Sequence, residues 1–389
     1  MAEKMRRRTF VLGAAALAGG AVALRTGSIA AQDATPAASA EGGLAAPAVS
    51  VETAALAVEE TRGPGGETAT GFDQVSLTAD ELAQIQGGDY SAALVMHTSS
   101  AFTRAVEQGA IDAFAAMGIE VAAQTDAGMD PAKQQSDIET VLALQPNVIL
   151  TLPIDPVQSA AAFRPAIDSG AKLVLLSNVP DGYQQGTDYV GIVTDDLFGI
   201  GQAAAEMLGD AMGGPGEVGY IFHDAQYYVT NQRDGAFKTV LQEKYPDLTI
   251  VAEQGMADPA DAENIASAML TQNPGIGAIY VPWAEPAEGV LAALRAAGRD
   301  DVKVVTIDLD TTVALDLAQG GNMAGIAVDT PYQLGYTMAL VGAYGLLGKD
   351  APPFTIVPTI KVTQENLAEA WTASLNEPAP QEIVDALGA

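Results

Sequence analysis

From Tyr90 onward the chain alternates short, continuously apolar runs with segments of helical periodicity, and this alternation limits its fold more than any other feature. The runs are 92–96, 148–152, 173–176, 189–193, 218–222, 249–252, 278–281, 302–307 and 325–328. Their composition suits strands covered on both faces of a parallel sheet. Between the first two, Val106, Ala110, Phe114 and Met117 recur at the spacing of one helix face. Asp130-Pro131 supplies a cap and a first-turn proline, and Gly170, Gly298 and Gly320 supply stops. Upstream, Leu77 to Ile85 predicts a short helix, with Thr78 as N-cap and Glu81 closing a capping box. The pattern specifies an α/β fold with parallel sheets and helices on both faces. About ten such units exceed one open sheet of ordinary size. Two doubly wound lobes fit better than the competing closed eight-fold barrel.

In open α/β sheets, ligands bind beyond the carboxyl ends of the strands. The informative residues of this chain fall there. They include His97, Ser99, Ser100 and Phe102 after the first strand, Asp155 after 148–152, and Asn178 beside Ser177. Thr194-Asp195-Asp196, His223-Asp224, Trp283-Ala284-Glu285, Asp308-Leu309-Asp310 and Asp329 follow later strands. Carboxylates and amides pair with neighbouring hydroxyls, and rings such as Phe102 and Trp283 lie against the C–H face of a sugar. A small polyhydroxylated ligand is the expectation. Each residue also has a plainer role to play. Asp155, Asp195 and Asp308 could cap helices. Trp283, His97 and His223 could be packing residues, and Arg233, in a helix starting near Thr230, could form a surface ion pair.

Enzyme signatures are thin. Two histidines and no cysteine exclude thiolate chemistry, disulfides and a lipid anchor on a cysteine, and give no zinc site. No GxxxxGK[ST] loop or GxSxG elbow is present. Gly199 to Ala204 fits GxGxxA, but it stands past the strand, within the next helix pattern. Asp308-Leu309-Asp310 lacks the glycine and final Glu of a calcium loop. We expect a non-enzyme without cofactor or metal. The formal net charge of -31 disfavours nucleic acid and anionic lipid as partners.

The first residues have a signal-peptide layout: Arg6 to Arg8, an apolar stretch from Phe10 to Leu24, then Ser28-Ile29-Ala30. Arg7-Arg8-Thr9-Phe10-Val11-Leu12 is similar to a twin-arginine export motif. We read 1–31 as a signal peptide, and therefore a periplasmic or extracellular protein. Residues 32–71, rich in Ala, Gly, Thr, Pro and Glu, are expected to form a flexible leader. Beyond the first thirty residues no apolar run is long enough to span a bilayer.

The strings DPAKQQSDIETVLALQPNVIL, DYVGIVTDDLFGIGQAAAEML, QRDGAFKTVL, ALRAAGRDDVKVVTIDLD and AGIAVDTPYQLGY occur in this order. Over about 90–370 the chain thereby resembles the ribose-binding-like, type I sugar-binding proteins of ABC importers. The resemblance implies two Rossmann-like lobes joined by a three-crossing hinge, one at 89–194 plus 330–353, the other at 195–329 plus 354–375. It also implies a monomer that works with permease and ATPase subunits, or, in a second use of the fold, one that reports to a signalling receptor. It implies ligand contact for His97, Ser99, Ser100, Phe102, Arg233, Asp308 and Asp329. Two departures stand out. The family's Asp-Arg pair after the fourth strand is Ser177-Asn178 here, and its usual asparagine is Trp283. Both shift the expectation from an aldopyranose toward a sugar alcohol or another small polar ligand.

Overall fold

The computed structural model describes residues 42–225 and 227–388; the expected signal peptide and residues 32–41 of the expected leader lie outside them. The strands are β1 (Leu44–Ala45), β2 (Thr70–Gly71), β3 (Ser76–Leu77), β4 (Ser91–Met96), β5 (Glu120–Asp126), β6 (Val148–Thr151), β7 (Lys172–Leu176) and β8 (Ile192–Asp195). They continue with β9 (Gly216–His223), β10 (Leu248–Met256), β11 (Ile276–Tyr280), β12 (Lys303–Ile307), β13 (Met323–Val328), β14 (Phe354–Val357) and β15 (Ile360–Val362). The helices are α1 (Ala79–Gln86), α2 (Ala101–Ala116), α3 (Pro131–Leu142), α4 (Pro156–Ala162), α5 (Arg164–Asp168), α6 (Leu197–Met212) and α7 (Tyr228–Lys244). After them come α8 (Ala262–Gln272), α9 (Ala284–Ala297), α10 (Thr311–Ala318), α11 (Pro331–Leu347), α12 (Leu367–Leu375) and α13 (Gln381–Ala386). Among the described residues no helix is long and apolar enough to cross a membrane.

Local signals act as the sequence suggests. Thr78 and Glu81 close a capping box on α1, Asp130 caps α3 ahead of Pro131, and Gly298 ends α9 in the left-handed region. The buried runs form two open sheets, which excludes a closed barrel. The first has the order β2-β14-β8-β7-β6-β4-β5 and is parallel throughout. The second has the order β10-β9-β11-β12-β13-β15 and is parallel except for the β13–β15 pair. Apart from β2, both lobes wind alike. Six strands escaped the sequence pattern: the two-residue β1, β2 and β3, and β5, β14 and β15. β5 alternates exposed and half-buried residues at a sheet edge, and β14 and β15 are short and lie either side of Pro358.

The chain passes between the sheets after β8, after β13, and between β14 and β15. The last passage lies later than expected, because β14 pairs with β8 of the first sheet. Phe354 and Ile356 enter a core of the first lobe, whereas Ile360 and Val362 enter that of the second. α11 returns across the first lobe against α2, where a Cβ on Gly335 would lie 1.8 Å from the Val106 carbonyl oxygen. Only glycine permits this approach.

Residues 42–71 differ from the flexible leader expected there. β1 pairs with β3, and Leu44 is buried in the first lobe. Val49 and Val51 then pack on the second lobe, and the Ala54 amide donates to the Thr359 carbonyl at 2.8 Å. The Ala57 amide and the Thr61 hydroxyl both donate to the Asp196 carboxylate at the first crossing. Tyr228 and Gln232 of α7 donate to the Arg62 carbonyl, and β2 closes the path by pairing with β14. The segment therefore straps the hinge and adds two passages between the lobes. Its few apolar side chains need no core of their own, since they dock on existing ones and the backbone finds fixed partners.

Candidate functional site

A cavity of about 500 Å³ lies between the lobes at the carboxyl ends of both sheets. Ser100 and Phe102 enter it from the start of α2, and Asp195 from the end of β8. Asp308 and Asp329 follow β12 and β13, Trp283 is the N-cap of α9, and Arg233 comes from α7. Six of the twelve residues singled out in the sequence thus line the cavity: Ser100, Phe102, Arg233, Trp283, Asp308 and Asp329.

Arg233 is anchored by its neighbours. Phe237, one turn on, stacks on Tyr280 with ring centroids 3.9 Å apart. Asp234 accepts from the His223 amide at 2.9 Å and the Tyr280 hydroxyl at 2.7 Å. These contacts seat α7 on its sheet and hold the guanidinium, only 7% exposed, against the cavity floor. Its Nη1 stands 3.5 Å from Asp308 Oδ1, and its Nε has no protein partner. Burial opposes the guanidinium charge, but Asp308 and Asp195 outweigh it and hold the pKa above its ordinary value.

Three carboxylates surround this single cation. Burial pushes Asp195 up to about 6, aided by the negative charge of Asp308 and opposed by Arg233. Burial raises Asp329 well above its ordinary range, helped by Asp195 and Asp308, and raises Asp308 as well. Asp195 Oδ1 is buried without a hydrogen-bond partner. Unsatisfied buried acceptors are costly, and those facing a cavity mark where a ligand's donors fit. Asp308 and Ser177 also share a backbone device. Each follows a strand of its own lobe with φ of 68° and 57°, in the left-handed region, while its amide extends the ladder to the next strand.

The other candidates have different surroundings. Asp155 caps α4 by accepting from the Gln158 amide at 2.7 Å. His97 does not line the cavity; burial lowers its pKa to about 4, so the ring is neutral near pH 7. Ser99 and Asp224 are exposed outside the cavity. His223 stands behind the lining, bonded to the Thr230 hydroxyl at 2.8 Å, with its ring edge-on to Trp283. Asn178 acts across the gap, donating to the Tyr227 hydroxyl of the other lobe at 3.3 Å and to the Pro153 carbonyl at 3.0 Å. Asp195, Ser177, Glu285 and Asp310 were visible as strand-end residues without being assigned ligand contact; all four line the cavity. Tyr227 and Glu288 carried no sequence signal. Gly201 of the GxGxxA match is a packing residue, since a Cβ there would lie 2.2 Å from the Arg233 carbonyl oxygen.

A family model described as "Periplasmic binding protein domain" matches residues 91–350. The chain belongs to this family. This binding protein is 24% identical over 278 residues to the ribose import binding protein of Escherichia coli (strain K12), covering 69% of this chain and 88% of that one. Among solved structures it is similar to an ABC transporter solute-binding protein from Agrobacterium vitis bound with α-D-tagatopyranose. That match has a TM-score of 0.63 and 22% identity, over 75% of this chain and 100% of the other. A solute-binding protein from Mycobacterium smegmatis with bound glycerol matches with a TM-score of 0.60 and 24% identity, over 72% of this chain and 96% of the other. Likenesses at this identity establish the fold of this binding protein: two α/β lobes of periplasmic-binding-protein type.

Proposed function

We propose that this chain is an extracytoplasmic solute-binding protein of an ABC importer, and that it captures a small polyhydroxylated ligand, a sugar or sugar alcohol, between its lobes. The observation that carries the reading is the cavity floor. A buried arginine with an unpartnered Nε, a buried carboxylate with an unpartnered Oδ1, and flanking aromatics face one inter-lobe space. Adjacent hydroxyls satisfy such paired donors and acceptors, and a sugar's C–H face covers Trp283 or Phe102. The relatives named for ribose import and the neighbours holding tagatose or glycerol support the same class. The protein binds without turnover, works as a monomer with permease and ATPase subunits, and is exported by its N-terminal segment. Closure of the lobes on the ligand supplies the hinge signal that a permease reads.

Thermal unfolding against a panel of pentoses, hexoses and alditols tests this. Ligand at about 100 times its dissociation constant adds about 2.7 kcal/mol, a shift of a few degrees. One saturable hit with no product formed supports the proposal. Silence across the panel, or turnover of the hit, contradicts it.

A further inference from the structure

The cavity's charge is one-sided, which refines the functional reading and depends on it. Asp195, Asp308 and Asp329 form its floor, and Glu285, Glu288 and Asp310 also line it, against Arg233 as the one cation among the lining residues. Arg233 is engaged by Asp308. Asp195, 5% exposed, lines the cavity and its buried Oδ1 has no partner, and Asp329, also lining it, is equally buried. A neutral polyol donates hydrogen bonds here but leaves the excess negative charge in place.

We propose that the cleft selects a polyhydroxylated ligand bearing an ammonium group, of the amino-sugar or amino-alditol class, with Asp195 and Asp329 receiving the cation. An ammonium brings donors to Asp195 Oδ1, which lacks one, and cancels charge at the same time. The fold has already desolvated both carboxylates, so association bears only the desolvation of the incoming cation. Trp283, Phe102 and Tyr227 add aromatic faces, which attract cations. The net charge of -31 draws cations toward the protein from a distance. A metal ion is a poorer occupant, since among the described residues no three acidic or histidine side chains are placed to hold one.

The test compares matched probes by calorimetric titration at neutral pH: sorbitol with glucamine, and glucose with glucosamine, with N-acetylglucosamine as a bulky neutral control. The aminated member of at least one pair is expected to bind on the order of ten-fold tighter or more, about 1.4 kcal/mol. High salt narrows the gap. An Asp195→Asn, Asp329→Asn double variant abolishes the gap while still melting cooperatively; if it does not, Asp329→Asn alone serves. Neutral probes binding as well as or better than aminated ones would overturn this inference and leave the functional proposal standing. An amine preference that survives both substitutions would overturn the assignment to Asp195 and Asp329. Binding of neither class would overturn both readings.

Discussion

Arg233 Nη1 lies 3.5 Å from Asp308 Oδ1 on the floor of the cleft, joining a helix residue to a residue held in the left-handed region at a strand end. The pair is the fixed point around which the other cleft groups are arranged. Removing the guanidinium leaves two buried carboxylates, Asp195 and Asp329, and the half-buried Asp308 without their shared cation. An Arg233→Met substitution should therefore weaken ligand binding by at least about 2 kcal/mol, roughly thirty-fold. An unchanged dissociation constant in calorimetry would count against the role given to Arg233.

Burial makes stability depend on pH in a definite direction. Asp195 has its pKa raised from 3.8 to about 6 in the folded state, so the fold binds the extra proton between those values. Its contribution is present at low pH and is lost as pH rises through this window. Asp195→Asn should thus gain stability relative to the wild type between pH 4 and 6, by an amount on the order of 1–3 kcal/mol. His97, whose pKa is lowered to about 4, has the opposite slope, but it is present in both proteins and cancels in the difference. Urea unfolding of both proteins across this range measures the effect; a difference independent of pH would refute it.

Helix crossing sets another limit. With a Cβ at residue 335 only 1.8 Å from the Val106 carbonyl oxygen, Gly335→Ala must separate α2 from α11. The cost should be about 3 kcal/mol. A lower midpoint in urea unfolding is expected, and an unchanged one would mean that the two helices are not so closely packed.

The strap is tied to Asp196. Thr61→Val deletes a donor to that carboxylate and the acceptor of the Phe198 amide, a loss of about 1–3 kcal/mol. Hydrogen exchange should quicken at the Ala57 and Phe198 amides. Wild-type protection at both would show that the strap holds without this bond.

Much of the fold was legible because buried parallel strands leave continuous apolar runs, and caps such as Asp130 and Gly298 act locally. The strap was not, because its stability comes from distant partners, Thr359, Asp196 and β14, which composition does not register. Strand-end position located most of the cleft. It could not separate Asp155, which turns to cap its helix, from Asp195, which lines the cavity and keeps a buried oxygen without a partner. Tyr227 was invisible for a related reason: it stands at the N-cap of α7, and its partner, Asn178, belongs to the other lobe.

The most direct test of cleft capture is a calorimetric titration of the ligand found by thermal screening into wild type, Arg233→Met and Trp283→Ala. A saturable one-to-one isotherm is expected for the wild type and severe weakening in both variants, with cooperative melting retained. Equal affinity in all three would contradict it and place the binding site elsewhere.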